Sequence, residues 1–480
     1  MDSEIIKYAK ESNLIITEKA LRVLNNYNYK EIIDKLKEKN ILFVQPEDIE
    51  KLNLKKSKSV QNKSSSNNFH ILDQYDITNK NLSQGSVEDF HKLFLDKYNF
   101  LSGIIKNRVN FDYISIADAK TKIKNTKVDV IGMVYEKRLS KNGNLILSID
   151  DLTSEVKLVI VNKDEKAFLK AKEILLDNVV GFKCSVLSQN MFVVNEYIFP
   201  DIPFVPRNID LPEDKYLAII GDTHVGSVFF REKEFSKFID WINNESDDTS
   251  VSSKVKYLVI AGDLVDGIGV YPAQFDNLAI TDIYKQYELF EQYILKIRKD
   301  IDIFIISGNH DAVRLSDPQP AISEEYLPNL YKQKNIHIMG SPSMVVIEGY
   351  KTLMYHGASL FGIYAEIQDA IMSKPDLAMK EILLRRDFMA QYGARETFVP
   401  IEKDFMLVRE VPDIFITADV HHHAYSKYKN THMFCTSCWQ TTTPYQIELG
   451  HVPTISKVLL FNLKTEKVTI EDFKEGDSNE

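Results

Sequence analysis

The spacing of apolar residues changes character along the chain, and each change marks a segment. Over 1–54 it is helical: Asp2-Ser3 can cap a helix to about Ser12, Thr17-Glu18 opens Ala20–Asn25, and Tyr29–Lys39 repeats Ile32, Ile33 and Leu36. Over 55–85 it lapses. Lys55–Asn68 is rich in Lys, Ser and Asn and nearly devoid of apolar side chains. Such a stretch cannot bury enough surface to offset chain entropy, which predicts a flexible linker. Helical spacing returns in a connector over 86–117, where Ser86 and Asp89 resemble a capping box for a helix to about Lys106.

Within 118–205 the period falls to two. Val128–Arg138, Leu145–Asp150, Glu155–Val161, Val180–Leu187 and Met191–Ile198 are five strand candidates, with turns at Lys141-Asn142-Gly143 and Gln189-Asn190 and a helix over Asp164–Leu175 between the third and fourth. That order is the pattern of an OB-fold barrel. Such barrels often hold single-stranded nucleic acid on aromatic and basic faces, but few aromatics here look exposed, and protein docking is an equal alternative. Pro200, Pro203, Pro206 and Pro212 mark the next boundary. From 213 to 474, strand runs at Tyr216–Ile220, Tyr257–Ala261, Ile303–Ser307, Thr352–Tyr355 and Asp413–Thr417 alternate with helical stretches such as Glu232–Asn243 and Ile283–Arg298. Lys457–Asn462 and Val468–Glu471 read as late antiparallel strands. The chain is a multidomain α+β protein whose last domain is built on a central sheet, followed by an acidic tail over 475–480.

Composition narrows the classes. With 480 residues and 44% hydrophobic content the chain can build several cores. A net charge of −10 argues against a free-standing basic nucleic-acid binder, though not against an enzyme acting through metals or a subunit with a basic partner. Three cysteines, Cys184, Cys435 and Cys438, are too few for a disulfide framework and fit a reducing cytosol. Cys435-Thr-Ser-Cys438 has CxxC spacing without a second pair, so buried thiols are expected there rather than zinc. No run approaches the ~18 apolar residues of a membrane span. A soluble cytoplasmic protein is expected.

The chemistry gathers at strand ends. Tyr216–Ile220 is followed by Gly221-Asp222-Thr223-His224; the next four runs lead into Gly262-Asp263-Leu264-Val265-Asp266, Gly308-Asn309-His310-Asp311, His356-Gly357 and Asp419-Val420-His421-His422-His423. Each alone reads as an ordinary polar turn. Five in succession, each at the same end of a strand, describe one site, because ligands in α/β sheets gather at the carboxyl edge.

The order Asp-x-His, Gly-Asp, Gly-Asn-His-Asp, His-Gly, x-x-x-His resembles the motif series of the calcineurin-like metallophosphoesterases over about 215–460. The resemblance implies two divalent ions bridged by Asp263. Asp222, His224 and His421 would complete one set of ligands, and Asn309, His356 and Asp419 the other. His310 would stand beside them as general acid or charge stabiliser. Mixed N and O ligands favour Mn²⁺, with Zn²⁺, Fe or Mg²⁺ as the other candidates. The family's last motif is usually Gly-His-x-His, and here Asp419 replaces its first His; a register using His421 and His423 is the alternative.

The longer signatures Gly262–Gln274 and Gly308–Ile322, with Trp439-Gln440 and Thr443-Pro-Tyr-Gln446, resemble the small subunits of archaeal D-family DNA polymerases. The order of helical module, linker, OB fold and phosphoesterase agrees. This implies a 3′-to-5′ proofreading exonuclease acting on single-stranded or mismatched 3′ DNA ends. It also implies a large catalytic partner subunit, indirect association with the sliding clamp, and no membrane. Arg314 is a candidate phosphate contact. The competing readings are an inactive structural subunit and a free-standing phosphodiesterase.

Overall fold

A computed structural model describes residues 15–16, 20, 33, 36–37, 43–44 and 68–475, apart from 81–82, 208, 245–249, 389–396 and 449. The chain divides into two compact units, Met1–Ser66 and Asn67–Glu480. In the first, Ala20, Ile33 and Leu36 are helical and fully buried. Two short strands, β1 (Ile15–Ile16) and β2 (Phe43–Val44), pair in parallel, so this unit is not purely helical. Two-residue strands are too short to show an alternation. The helix start expected at Asp2-Ser3 and residues 55–67 of the expected linker lie outside the described residues.

The linker ends earlier than the sequence suggests. β3 (Phe69–Ile71) pairs antiparallel with β13 (Ser343–Ile347), and Phe69 packs edge-on against Phe304 with ring centroids 5.2 Å apart. Three residues at an existing sheet edge need no long apolar pattern of their own, because the partner strand supplies the ladder.

Next comes α1 (Val87–Lys106), which begins with the expected capping box: Asp89 donates its backbone N–H to the Ser86 hydroxyl, and its carboxylate accepts from the Ser86 N–H at 2.9 Å. A short α2 (Ile116–Lys120) leads into β4 (Lys127–Leu139), β5 (Leu145–Asp150), β6 (Glu155–Ile160), α3 (Glu165–Ala171), β7 (Val179–Ser188) and β8 (Met191–Ile198). The five strands close in the order β4-β5-β6-β8-β7, with β6 and β8 parallel and α3 between the third and fourth. Inward-facing Val130, Leu147, Leu158, Val180 and Phe192 fill the barrel.

The last domain has two sheets rather than one. The first runs β12-β11-β10-β9-β18-β19, from β9 (Tyr216–Ile220), β10 (Val255–Ile260), β11 (Asp302–Ile306), β12 (Ile336–Met339), β18 (Lys457–Asn462) and β19 (Val468–Asp472). The second runs β16-β17-β15-β14-β13-β3, adding β14 (Tyr350–Met354), β15 (Ile414–Thr417), β16 (Ala424–Tyr428) and β17 (Thr431–Cys435). Strand β9 shows why both faces are apolar. Leu217 and Ile219 meet β14 and β15 residues in the core between the sheets. Ala218 and Ile220 face α4 (Glu232–Ile242) and α5 (Ile283–Ile294) on the outside. The outer face of the second sheet is covered by α6 (Leu360–Glu366) and α7 (Pro375–Arg385). Strands buried on both faces read as continuous runs, which hides how many sheets they form.

Barrel and double sheet share a buried seam. Helix α1 packs Tyr98, Leu101 and Ile105 against Ile131 and Val179 of the barrel and Leu407 of the sheet domain. Lys97 reaches Asp387 at 2.5 Å with both side chains buried, and Arg385 donates to Asn178 Oδ1 at 3.1 Å and the Glu173 carbonyl at 2.7 Å. Among the described residues, no helix is long and apolar enough to cross a membrane.

Candidate metal centre

Parallel pairing of β9, β10 and β11, and of β14 and β15, brings five strand ends to one edge of the double sheet. The chain turns sharply at three of them. Asp222, His224, Asp263, Asp419 and His421 all have left-handed backbones, with φ of 50°, 47°, 51°, 67° and 53°. Non-glycine residues avoid this region, and clusters of them mark sites where conformation serves function. Space is equally tight: a Cβ on Gly262 would lie 2.6 Å from His356 Nδ1, so the tip of β10 admits only glycine there.

The side chains converge in two groups joined by one carboxylate. His224 Nε2 and His421 Nε2 face each other at 3.0 Å, with Asp222 Oδ1 3.9 Å from the latter. His356 Nε2 lies 2.9 Å from Asn309 Oδ1 and 3.7 Å from Asp419 Oδ1. Asp263 spans both groups, its Oδ2 3.8 Å from His224 Nε2 and its Oδ1 3.2 Å from His356 Nε2. Asp222, His224, Asp263, His356 and His421 are all nearly inaccessible to solvent.

Charge in this enclosure is unbalanced. Burial pushes the Asp222 carboxyl well above the usual range, and the Asp263 and Asp419 charges add to it. Burial opposes the charge on His356, but Asp263, Asp419 and Asp222 outweigh it and hold that imidazole well above its ordinary value. Asp263 is depressed despite burial, by His356 first and His310 next. His421 is driven down by burial and by His224. The cluster draws positive charge to its centre while turning ring nitrogens and carboxylate oxygens toward one another. That donor set fits divalent cations that accept mixed N and O ligands.

A second layer fixes the ligands. Asp266 Oδ1 lies 3.2 Å from His224 Nδ1 and accepts from Gln440 Nε2 at 2.9 Å. Gln446 Nε2 lies 2.9 Å from His421 Nδ1, and the Ala261 carbonyl 2.7 Å from His356 Nδ1. Asp311 accepts from the Gly308 and Leu264 amides and the Tyr287 hydroxyl; burial, and then Asp263, push it up to about 7. His310 gives its backbone N–H to Asp263 Oδ1 at 2.9 Å, and its Nδ1 lies 2.8 Å from the Asp266 carbonyl. Sequence reading quoted Asp266, Gln440 and Gln446 within longer signatures without a role. The available signal for Asp266 is its spacing of three from Asp263.

Two candidates stand elsewhere. Arg314 donates to the carbonyls of Ser316 and Pro318 on its own loop and does not line the cavity. His423 gives its backbone N–H to Thr454, whereas Asp419 and His421 line the cavity, so the strand tip presents Asp419 and His421 rather than the alternative register. Cys435 and Cys438 are buried thiols, raised by that burial, as expected.

Comparison with known proteins agrees with this geometry. Residues 216–423 match the calcineurin-like phosphoesterase family model, whose members use divalent metal ions. The chain is 34% identical to the DNA polymerase II small subunit of Thermoplasma acidophilum over 477 residues, covering 98% of this chain and 93% of that one. It is 37% identical to that of Methanothermobacter thermautotrophicus, covering 81% and 80%, and 37% identical to that of Archaeoglobus fulgidus, covering 80% and 77%. Likeness of this extent, across barrel and double sheet together, means that the chain belongs to the family of archaeal DNA polymerase II small subunits.

Proposed function

We propose that the chain is the 3′-to-5′ exonuclease of a two-subunit DNA polymerase, hydrolysing phosphodiesters at single-stranded or mismatched 3′ ends and releasing 5′-mononucleotides. The observation that carries this is Asp263, set between the His224–His421 and His356–Asn309 groups with an oxygen turned toward each. Two divalent cations, Mn²⁺ favoured, would be held there by Asp222, His224 and His421 on one side and Asn309, His356 and Asp419 on the other, and would supply an activated water and neutralise phosphoryl charge.

The protein's own groups supply the rest. Asp266 lies beside Nδ1 of His224 and leaves its Nε2 as the ligand face, while the Gln446 amide donates to Nδ1 of His421 and fixes the orientation of that ring. A carbonyl can only accept, so the Asp266 carbonyl fixes the proton of His310 on Nδ1. Burial lowers the basicity of His310 while Asp263 and Asp266 raise it, and its Nε2 is the ring nitrogen left to pass a proton to the leaving 3′ oxygen. No side-chain nucleophile is required.

The relatives' name supports a large subunit as partner; catalysis of polymerisation by that partner, and indirect association with the sliding clamp through it, belong to the same proposal. The barrel over 118–205, read as an OB fold, offers docking surface for that partner. Incubation with Mn²⁺ and a 3′-mismatched primer tests the reading. Wild type should release mononucleotides, His310→Ala should fall by roughly 10²–10⁴-fold, and Asp263→Ala should be inactive. Equal release by all three proteins would sink the proposal.

A further inference from the structure

The segment after Asp263 is far longer than ligand binding requires, and the centre described so far uses it only as far as Asp266. Its remainder is built with care. Gln274, 1% exposed, donates to the Asp266 carbonyl at 2.7 Å and to its Oδ2 at 3.0 Å, and accepts the Val270 N–H at 2.8 Å. Gln286, fully buried, accepts the Gly267 N–H at 2.9 Å. These two amides tie both ends of the turn to the metal-site backbone. Between them, Val270 and Tyr271 are presented to the cavity over the catalytic cluster, with the Tyr271 ring 6.1 Å from that of His310.

Phe361, at the start of α6, and Met372, before α7, line the same cavity from the second sheet's side. This side of the cavity is therefore apolar and aromatic, supplied by three separate segments, while Gln440, Thr443, Gln446 and His451 line the other. No Lys or Arg is among the described residues lining the cavity. Beyond the phosphoryl group under attack, no lysine or arginine charge there neutralises a phosphate. The volume is about 220 Å³, below the roughly 300–1,000 Å³ of pockets that engulf a drug-sized molecule. A cavity of this size is matched to a small part of a nucleic acid rather than to a duplex.

We infer that Tyr271, with Val270, Phe361 and Met372, forms a receptor for the 3′-terminal base, so that the site selects an unpaired end by stacking and size rather than by base identity. This rests on the hydrolase reading above. Every base has a π-face, which makes stacking on an aromatic ring tolerant of sequence. A paired terminal base must first leave its duplex, at a cost that is least for a mismatch. Discrimination between matched and mismatched ends then follows from the unpairing cost, without any group that reads the mismatch itself.

The test uses the full-length chain with Mn²⁺ and three substrates: a single strand with an ordinary 3′ nucleotide, the same strand ending in an abasic 3′ nucleotide, and bis-p-nitrophenyl phosphate, which has no base. Wild type should remove the ordinary nucleotide about tenfold or more faster than the abasic one. Tyr271→Ala should erase most of that ratio and lose more on DNA than on the small ester, whereas Tyr271→Phe should keep the ratio. Equal rates on ordinary and abasic ends by wild type would overturn the inference, and so would a ratio that survives in Tyr271→Ala. Turnover of none of the three substrates by wild type would instead remove the hydrolase reading, and this inference with it.

Discussion

His224 shows how far one ligand depends on groups that never touch the substrate. Its Nδ1 is held by Asp266, which is held in turn by Gln440, 174 positions later in the chain. Asp266→Asn should weaken Mn²⁺ binding by roughly 10–100-fold, measured by calorimetry without any turnover. The residues that converge at the centre were legible in the sequence because they cluster just after strands. Their supports were not, since a Gln that closes a contact across the fold carries no local pattern. Arg314 shows the converse: its place beside a motif did not reveal that its guanidinium donates to neighbouring carbonyls of its own loop. Away from the site, Asp404 is buried among Asp387 and Lys97, and burial first, then Asp387, raise it to about 7 from 3.8. The folded state binds this proton more tightly than the unfolded chain, so stability falls as pH rises between those values, by on the order of 4 kcal/mol. Asp404→Asn keeps an oxygen for the Met406 N–H. It should raise the urea midpoint relative to wild type at pH 8 and leave it nearly unchanged at pH 4.

Among the elements, α4 illustrates what periodicity specifies well. Phe235, Phe238, Ile239 and Ile242 form one stripe, and all are buried against the first sheet. Phe238 meets Trp439 with ring centroids 5.5 Å apart, so Phe238→Ala should cost about 3–5 kcal/mol in denaturant unfolding. A loss under 1 kcal/mol would mean that the site collapses around the gap. Periodicity specifies partners less well. The strands β12, β13, β16 and β17 went unread, and the two sheets merged into one, because Leu217 and Ala218 look alike although they face different cores. Likewise β3 sits in a stretch read as linker, where its order comes from the edge of β13.

At the scale of the molecule, the seam through α1 makes the barrel and the double sheet one compact unit. Calorimetry of the 67–480 portion should therefore show one transition, and Lys97→Met should lower it by leaving the buried Asp387 carboxylate without its ammonium, at a cost of about 3–5 kcal/mol. Two well-separated transitions would contradict the shared seam. The five left-handed residues at three of the strand tips have a different consequence, one written in descent. Each such backbone costs on the order of 1–3 kcal/mol, a debit that selection tolerates only while the site is used. In a lineage that no longer used the site, substitutions at Asp222, His224, Asp263, Asp419 and His421 that relax the turns would make the protein more stable, not less. Decay would begin at the catalytic tips and leave the Phe238 core untouched, so a retired copy of this subunit would remain a well-folded scaffold.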